Sequence, residues 1–457
     1  MTAATAAPAA AKEASAFAPL GRRAFAVLWV ATIISNVGTW MNDVGAGWLM
    51  TELSPSPLVV AAVQAATTAP VFLFALLAGA VADIVDRRKL LIVVNLFMAV
   101  AATALAALVA MDAVTPALLI LFTFLLGAGA AFVQPAWSAI VPQLVEKSEL
   151  SSAVALNSMG INVSRAIGPA LAGFLIVAVG LYAPFALNAL SFVCIIAALV
   201  WWRPPPAPAR KRPPEHVGAA IQAGLRYAVN SGPMRATLIR AAAFFASVSA
   251  FWAMLPLIAR ETLQGGPSLY GVMLAAVGAG AVGGALLLPK IKAKLGADRM
   301  VAAGTIGAAV ALLLHALVPI PAVAVGAAAL AGVAWIAVLS SLNVSAQTAL
   351  PDWVRARGLS IFLTVFFGCM AAGSLIWGKV ASLYGIPTAL TAAAILALLL
   401  IPVSWRAKLG GGAALDHAPS AHWPEPLVAA EPDGDIGPVT IEIRYRVAAE
   451  RRDDFLD

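Results

Sequence analysis

Asn36, Trp40, Asp43 and Gly47 recur at spacings of four, three and four inside the first long apolar run of this 457-residue chain. In a helix those spacings put the four positions on one face. An amide, an indole and a carboxylate on one stripe suit the wall of a polar cavity better than a lipid face. Asp43 is the one acid well inside an apolar run, and a carboxylate changes charge by taking up a proton, so it is the candidate for proton coupling. A second charge, Arg165, sits within the fifth apolar run. A charge in hydrocarbon costs several kcal/mol unless it is paired or wet, so Arg165 must face water or a carboxylate. Its guanidinium stays protonated and can act only as a fixed positive charge. Counted from helix starts near 24 and 152, Arg165 lies about 20 Å deep and Asp43 about 28 Å. That offset favours coupling through water or a bound molecule over a direct bond.

Three further groups carry possible chemistry. Gly79-Ala-Val-Ala-Asp83-Ile-Val-Asp86-Arg87-Arg88-Lys89 follows the second apolar run, with Gly79 placed to let another helix approach and Asp83 placed to pair with arginines or backbone N–H groups. A charge cluster of this kind can hold one of two conformations and release in the other. The fifth run carries Gly168-Pro169-Ala-Leu-Ala-Gly173. There the proline removes a backbone hydrogen bond and tends to kink the helix, while the glycines admit a close neighbour. Arg260-Glu261 ends the seventh run and forms either a gate pair or an ordinary interface anchor. Gln64, Gln134, Asn157, Asn188, Asn343 and Gln347 are weaker polar positions, expected mainly in hydrogen bonds between helices. The four histidines form no cluster, Cys194 and Cys369 have no metal-ligand spacing, and no Gly-x-x-x-x-Gly-Lys-(Ser/Thr) loop occurs. Metal, cofactor and ATP chemistry are therefore not expected.

The elements that must hold these groups are membrane helices. Apolar residues make up 61% of the chain and charged residues 11%, against about 45–50% and 25% in soluble proteins. Mean hydropathy is +0.91. So few charges cannot cover a soluble surface of this size, which excludes a soluble enzyme and a disordered chain. A spanning helix needs about 20 apolar residues, and twelve such runs occur, near 24–50, 58–82, 89–111, 116–137, 152–179, 182–202, 237–259, 268–289, 299–319, 321–345, 357–383 and 387–405. Of the 29 Lys and Arg, 22 fall on one side of this arrangement, counting Arg240 with the central loop, and two, Arg260 and Lys379, on the other. The basic side is the cytoplasmic one, so both termini are expected inside. The net charge of +7 is thus a loop property, and no nucleic-acid partner is expected.

The two halves repeat. Pro142 matches Pro351, Gly79 matches Gly284, and Trp202-Arg203 matches Trp405-Arg406, all at offsets of 203 to 209. Parallel repeats of this kind pack about an axis along the membrane normal, with the path for a substrate between them. The expected organisation is a disordered arm at 1–23, a six-helix bundle at 24–203, a linker at 204–236 with a short amphipathic helix, a second bundle at 237–406, and a tail at 407–457. The tail holds a strand-like alternation at 439–447 followed by a helical stretch.

Gly79, Asp83, Arg87 and Arg88 match the loop between helices two and three of the major facilitator superfamily, Gly-x-x-x-Asp-(Arg/Lys)-x-Gly-(Arg/Lys)-(Arg/Lys). Ile84 and Asp86 depart from it. Gly168, Pro169 and Gly173 resemble the Gly-Pro-x-x-Gly-Gly element of its antiporter branch, with Ala172 at the first paired glycine. Ile34–Asp43, Gly47-Trp48-Leu49, Gln134-Pro-Ala, Ser164–Pro169 and Leu255–Glu261 resemble the subgroup that contains the enterobactin exporter. The resemblance covers about 20–410 and implies an all-α fold of twelve transmembrane helices in two six-helix pseudo-repeats. It also implies a proton-coupled secondary exporter of a small amphipathic, siderophore- or drug-like molecule in the bacterial cytoplasmic membrane. Longer members carry a small ferredoxin-like domain whose opening the strand at 439–447 resembles. The chain is expected to act as a monomer with protons, a small-molecule cargo and the bilayer as partners. An uptake symporter and a transport-inactive scaffold or sensor stay open as alternatives.

Overall fold

The computed structural model describes residues 17–146, 148–203, 217–351 and 354–409. A 3-10 turn at Ala18–Gly21 leads into α1 (Arg23–Leu53), α2 (Pro57–Ile84), α3 (Arg87–Ala110), α4 (Pro116–Leu144), α5 (Leu150–Ala178) and α6 (Ala183–Trp201). There follow α7 (Val217–Asn230), α8 (Gly232–Leu257) with a π-helical extension at Ile258–Thr262, and α9 (Pro267–Leu317). Then come α10 (Pro321–Thr348), α11 (Arg355–Tyr384) and α12 (Ile386–Ser404). Helix α9 holds two apolar arms, Pro267–Leu288 and Lys290–Leu317. It is interrupted at Gly296, whose φ of 76° suits glycine. With both arms counted, twelve segments among the described residues are long and apolar enough to cross a membrane.

The helix starts follow simple rules. All six helices or arms that begin on the side away from the basic loops (α2, α4, α6, the first arm of α9, α10 and α12) carry proline at the first or second position. There the missing N–H leaves no bond unmade and φ is already helical. On the basic side Asp86 caps α3, its Oδ1 accepting from Lys89 N at 3.0 Å. Residues 18–21, within the arm expected at 1–23, form the 3-10 turn, and Arg22 pairs with Glu146 and Glu149. The strand-like alternation at 439–447 lies outside the described residues, and no strand occurs among those described.

The repeat seen in sequence reappears in packing. In the first half α1 packs on α5 and α6, α3 on α6, and α4 on α2 and α3. In the second, α8 packs on α11 and α12, the arms of α9 on α10, and α9 on α12. Gly180 and Gly385, at an offset of 205, both turn the chain with positive φ, +124° and +86°. Arg23 lies 5.5 Å over Trp201 in one half, and Arg240 lies 5.5 Å over Trp405 in the other. Arg240 is not a linker charge. It sits 3% exposed in the third turn of α8, paired with Asp298 at 2.9 Å and donating to Ala407 O at 2.7 Å.

Two principal contacts join the halves, α2 on α11 and α5 on the first arm of α9, and the repeat relates one to the other. The hydrophobic core is built accordingly. On the side away from the basic loops one continuous cluster takes residues from both halves, among them Met41, Trp48, Phe185, Met254, Tyr270 and Leu390. On the basic side the core divides between the halves. One cluster around Leu91, Trp137 and Phe192 belongs to the first half, and one around Phe245, Trp335 and Phe362 and a small one at Leu288, Met300 and Ala337 belong to the second. The halves are thus fused at one end and separately packed at the other.

Candidate functional site

A central cavity of about 300 Å³ opens where the shared core ends. That is the low end of the range for small-molecule sites. Trp40, Asp43 and Gly47 of the first-helix stripe line it, as does Arg165. Asn36, on the same stripe but nearer the basic side, is not among its walls. Arg165 lies 5.5 Å over the Trp40 ring, held there because α5 packs directly on α1. Gly168 makes that packing possible: a Cβ on it would come within 2.6 Å of Trp40 Cβ and 3.2 Å of Val37 O. Arg165 Nε is buried without a hydrogen-bond acceptor, and among the described residues no ion pair joins Arg165 to Asp43. The two charges share one cavity without touching.

The Gly-Pro element therefore serves two interfaces. Gly168 faces α1 within the first half, whereas Gly173 faces the second half, where a Cβ would meet Pro267 O at 2.8 Å and Gly271 Cα at 3.3 Å. Pro169 has no N–H for the carbonyl of Arg165, and that carbonyl lies 3.1 Å from the Cβ position of Gly278 on α9. A stripe of small residues lets the two backbones approach where the halves meet.

Above the cavity the shared core closes over it. Trp48 stacks on Tyr270 with ring centroids 6.4 Å apart. Arg260 lies 5.9 Å over Trp48 and donates from Nη1 to Thr51 Oγ1 at 3.0 Å. Of Arg260 and Glu261, read from sequence as either a gate pair or an interface anchor, Arg260 makes this bridge. Neighbours on a helical turn point apart, so Arg260 reaches across to the other half while Glu261 is exposed, its backbone carbonyl accepting from Gln264 at 2.7 Å.

In the loop after α2 the arginines reach backbone carbonyls of neighbouring helices. Arg88 donates to Leu199 O at 2.7 Å and Val200 O at 2.8 Å, capping the carbonyl end of α6, where a cation is favoured. Arg87 donates to Ala82 O and Ala139 O, each at 3.4 Å. The close helix approach anticipated at Gly79 is absent, since a Cβ there meets nothing within 4 Å. Gly79 lies toward the end at which the halves pack separately. The Asp83 side chain lies outside the described residues.

Sequence reasoning missed most of the second half's contribution. Trp252, Tyr270, Trp335, Phe366, Phe367 and Met370 all line the cavity, yet in an apolar run they look like any lipid-facing or core residue. Gln64, one of the weaker polar positions, is also in the wall. Asn157 instead accepts from Trp137 across α4 and α5 at 2.9 Å, and Gln347 donates to Asn343 within α10. Among the described residues no cluster of His, Cys, Asp or Glu could hold a metal ion.

Twelve spans in two repeated bundles around a central cavity define a transporter of the major facilitator class. The chain belongs to the family described as "Transmembrane secretion effector", which it matches over residues 14–457. It is similar to the staphyloferrin A transporter of Staphylococcus aureus, 24% identical over 58% of this chain and 66% of that one, just under two thirds of its length. It is 25% identical to the multidrug efflux pump Tap of Mycolicibacterium fortuitum, over 81% of this chain and 92% of the pump. It is also 25% identical to the enterobactin exporter EntS of Escherichia coli O1:K1, over 73% and 79%. A solved nucleoside transporter, NupG, shares the fold with a TM-score of 0.71 at 13% identity, over 84% of this chain and 99% of the other.

Proposed function

We propose that the chain exports a small amphipathic molecule across a bacterial cytoplasmic membrane by alternating access, driven by protons, as a monomer with both termini in the cytoplasm. The observation that carries this is the placement of Asp43 and Arg165 in one cavity between the halves. Coupling needs a group that changes charge where the cargo binds. Asp43 takes that role, and Arg165 supplies the fixed positive charge beside it. Outward direction is supported by the Gly168-Pro169 element and by the relatives named as an exporter and an efflux pump. The orientation rests on the one-sided distribution of Lys and Arg. In it the fused end of the core faces outside, so the present conformation is open toward the cytoplasm.

In the other conformation the basic ends close and the fused ends part. Gly79 would then gain its close neighbour, and Asp83 would hold the closed form through arginine or backbone donors. Asp83→Asn should slow transport at equal amounts of folded protein, whereas unchanged transport would leave the loop an orientation signal only.

The test of the function itself uses purified protein in sealed vesicles with the cytoplasmic face outward and the lumen acidified. A panel of labelled amphipathic compounds should include at least one that accumulates in the lumen and is released when an ionophore collapses the gradient. If no compound accumulates, or accumulation ignores the gradient, the reading is wrong.

A further inference from the structure

The cavity is asymmetric in chemistry, and taken as the cargo site of the proposed exporter it specifies a class of cargo. The first half supplies both charges, the amide and the threonine hydroxyls, Asp43, Arg165, Gln64, Thr67 and Thr68, with one ring, Trp40. The second half supplies the other rings, with one hydroxyl, that of Tyr270. Trp252 meets Trp335 edge to face at 5.3 Å, Trp335 meets Phe366 at 5.9 Å, and Phe366 meets Phe367 at 4.4 Å. Phe244 and Phe245 pack behind Trp335 at 6.3 and 5.5 Å. A ring wall braced from behind keeps its shape and favours a flat aromatic partner through edge and offset contacts.

The polar groups left over point to the rest of the ligand. Two donors of the cavity wall, Arg165 Nε and Trp252 Nε1, are buried with no acceptor. The buried acceptors without donors, Asn42 Oδ1 and His315 Nε2, and the unpartnered Ser341 hydroxyl line no part of it. A buried donor left unmade is costly, so the molecule that fits supplies an oxygen acceptor. Charge decides what kind of oxygen. With Asp43 ionised, its charge and that of Arg165 sum to zero across the walls. A carboxylate on the cargo would meet Asp43 as a like charge, and an ammonium would meet Arg165. Neither suits a proton-free, cargo-loaded state.

We infer that the cargo is a neutral, planar aromatic molecule bearing an oxygen acceptor, such as an aryl ketone or aryl amide. Its ring lies against the Trp335–Phe366 wall and its oxygen toward Arg165 and Trp252. Held this way, the cargo bridges both halves, which is what lets it bias their relative movement. The inference rests on the cavity being the cargo site and on Asp43 being ionised when cargo binds, and does not require that proton movement drive transport.

The test measures equilibrium binding to the full chain in lipid nanodiscs at pH 7, with binding to empty nanodiscs subtracted and no ion gradient present. The probes are 2-acetonaphthone, naphthalene, the saturated ketone 2-acetyldecalin, 2-naphthoate and 2-naphthyltrimethylammonium. The ketone should bind at least tenfold tighter than naphthalene and tighter than the saturated ketone and both ions. Trp252→Phe, which keeps a ring and deletes the N–H, should weaken the ketone about fivefold, within the range of one neutral hydrogen bond, and leave naphthalene unchanged. Arg165→Met should do the same if it folds, as judged by thermal unfolding, and the Trp252 variant carries the test if it does not. Tightest binding of naphthoate or of the ammonium, binding indifferent to the ketone oxygen, or no binding of any probe overturns the inference. Ketone binding without gradient-driven movement would sink the exporter reading and leave this one standing.

Discussion

Single residues in this chain differ more in what surrounds them than in what they are. Gly79 and Gly168 are both helical glycines beside recognisable motifs, yet one faces open space and the other the backbone and Trp40 of α1. Gly168→Ala should therefore destabilise the protein by about 1–3 kcal/mol, the usual range for overpacking. Gly79→Ala should stay within about 0.5 kcal/mol. Thermal unfolding of the two variants in the same detergent checks the contrast, and equal effects would mean that α5 does not depend on close packing at Gly168. Asp43 and Arg165 could be picked out from sequence because a charge in an apolar run must be accounted for. Trp252 and Trp335 could not, because indoles are at home in cores, in lipid interfaces and in binding sites alike. Arg240 misled for the opposite reason. It lies close to the basic linker in sequence, but its partner Asp298 is 58 residues away in α9.

At the scale of elements, helix existence was legible from apolar length and helix starts from proline, while partners across elements were not. The arginines after α2 read as a charge cluster, and only the fold shows that Arg88 reaches the end of α6. The same limit applied to the Gly-Pro element, whose two glycines look equivalent in sequence and serve different contacts. This separation is testable. Gly168 lies within one bundle, so enlarging it should cost stability. Gly173 lies between bundles against Pro267 O, so Gly173→Leu should obstruct closure at the fused end. Transport should fall at least tenfold while the unfolding temperature changes by less than for Gly168→Leu. A Gly173→Leu variant that transports normally would show that the α5–α9 crossing need not close in the cycle.

For the whole molecule, the division of the hydrophobic core is the feature that defines its state. One shared cluster at one end and separate clusters for each half at the other describe a molecule closed on one side. Bridges such as Arg260 to Thr51 and Trp48 help hold that closure. A hydrogen bond and a cation–π contact of ordinary size amount to about 1–2 kcal/mol. Arg260→Ala should accordingly raise the population opened at the fused end several-fold. A cysteine at Gln64, in a background without Cys194 and Cys369, should then react faster with an impermeant maleimide applied outside, and an unchanged rate would remove Arg260 from the gate.

The central claim is that Asp43 carries the coupled proton through the cavity between the halves, and the most direct measurement is proton movement itself. Vesicles containing the protein and a trapped pH-sensitive dye receive a compound that the wild type transports, and cargo-induced proton flux is recorded alongside cargo flux. The account predicts coupled fluxes in the wild type and partial coupling in Asp43→Glu, which keeps a titratable acid at the site. Asp43→Asn should show no cargo-induced proton flux and no accumulation against a gradient, at equal amounts of folded protein. Proton flux and accumulation persisting in Asp43→Asn with the wild-type dependence on pH would contradict it and place the coupling elsewhere.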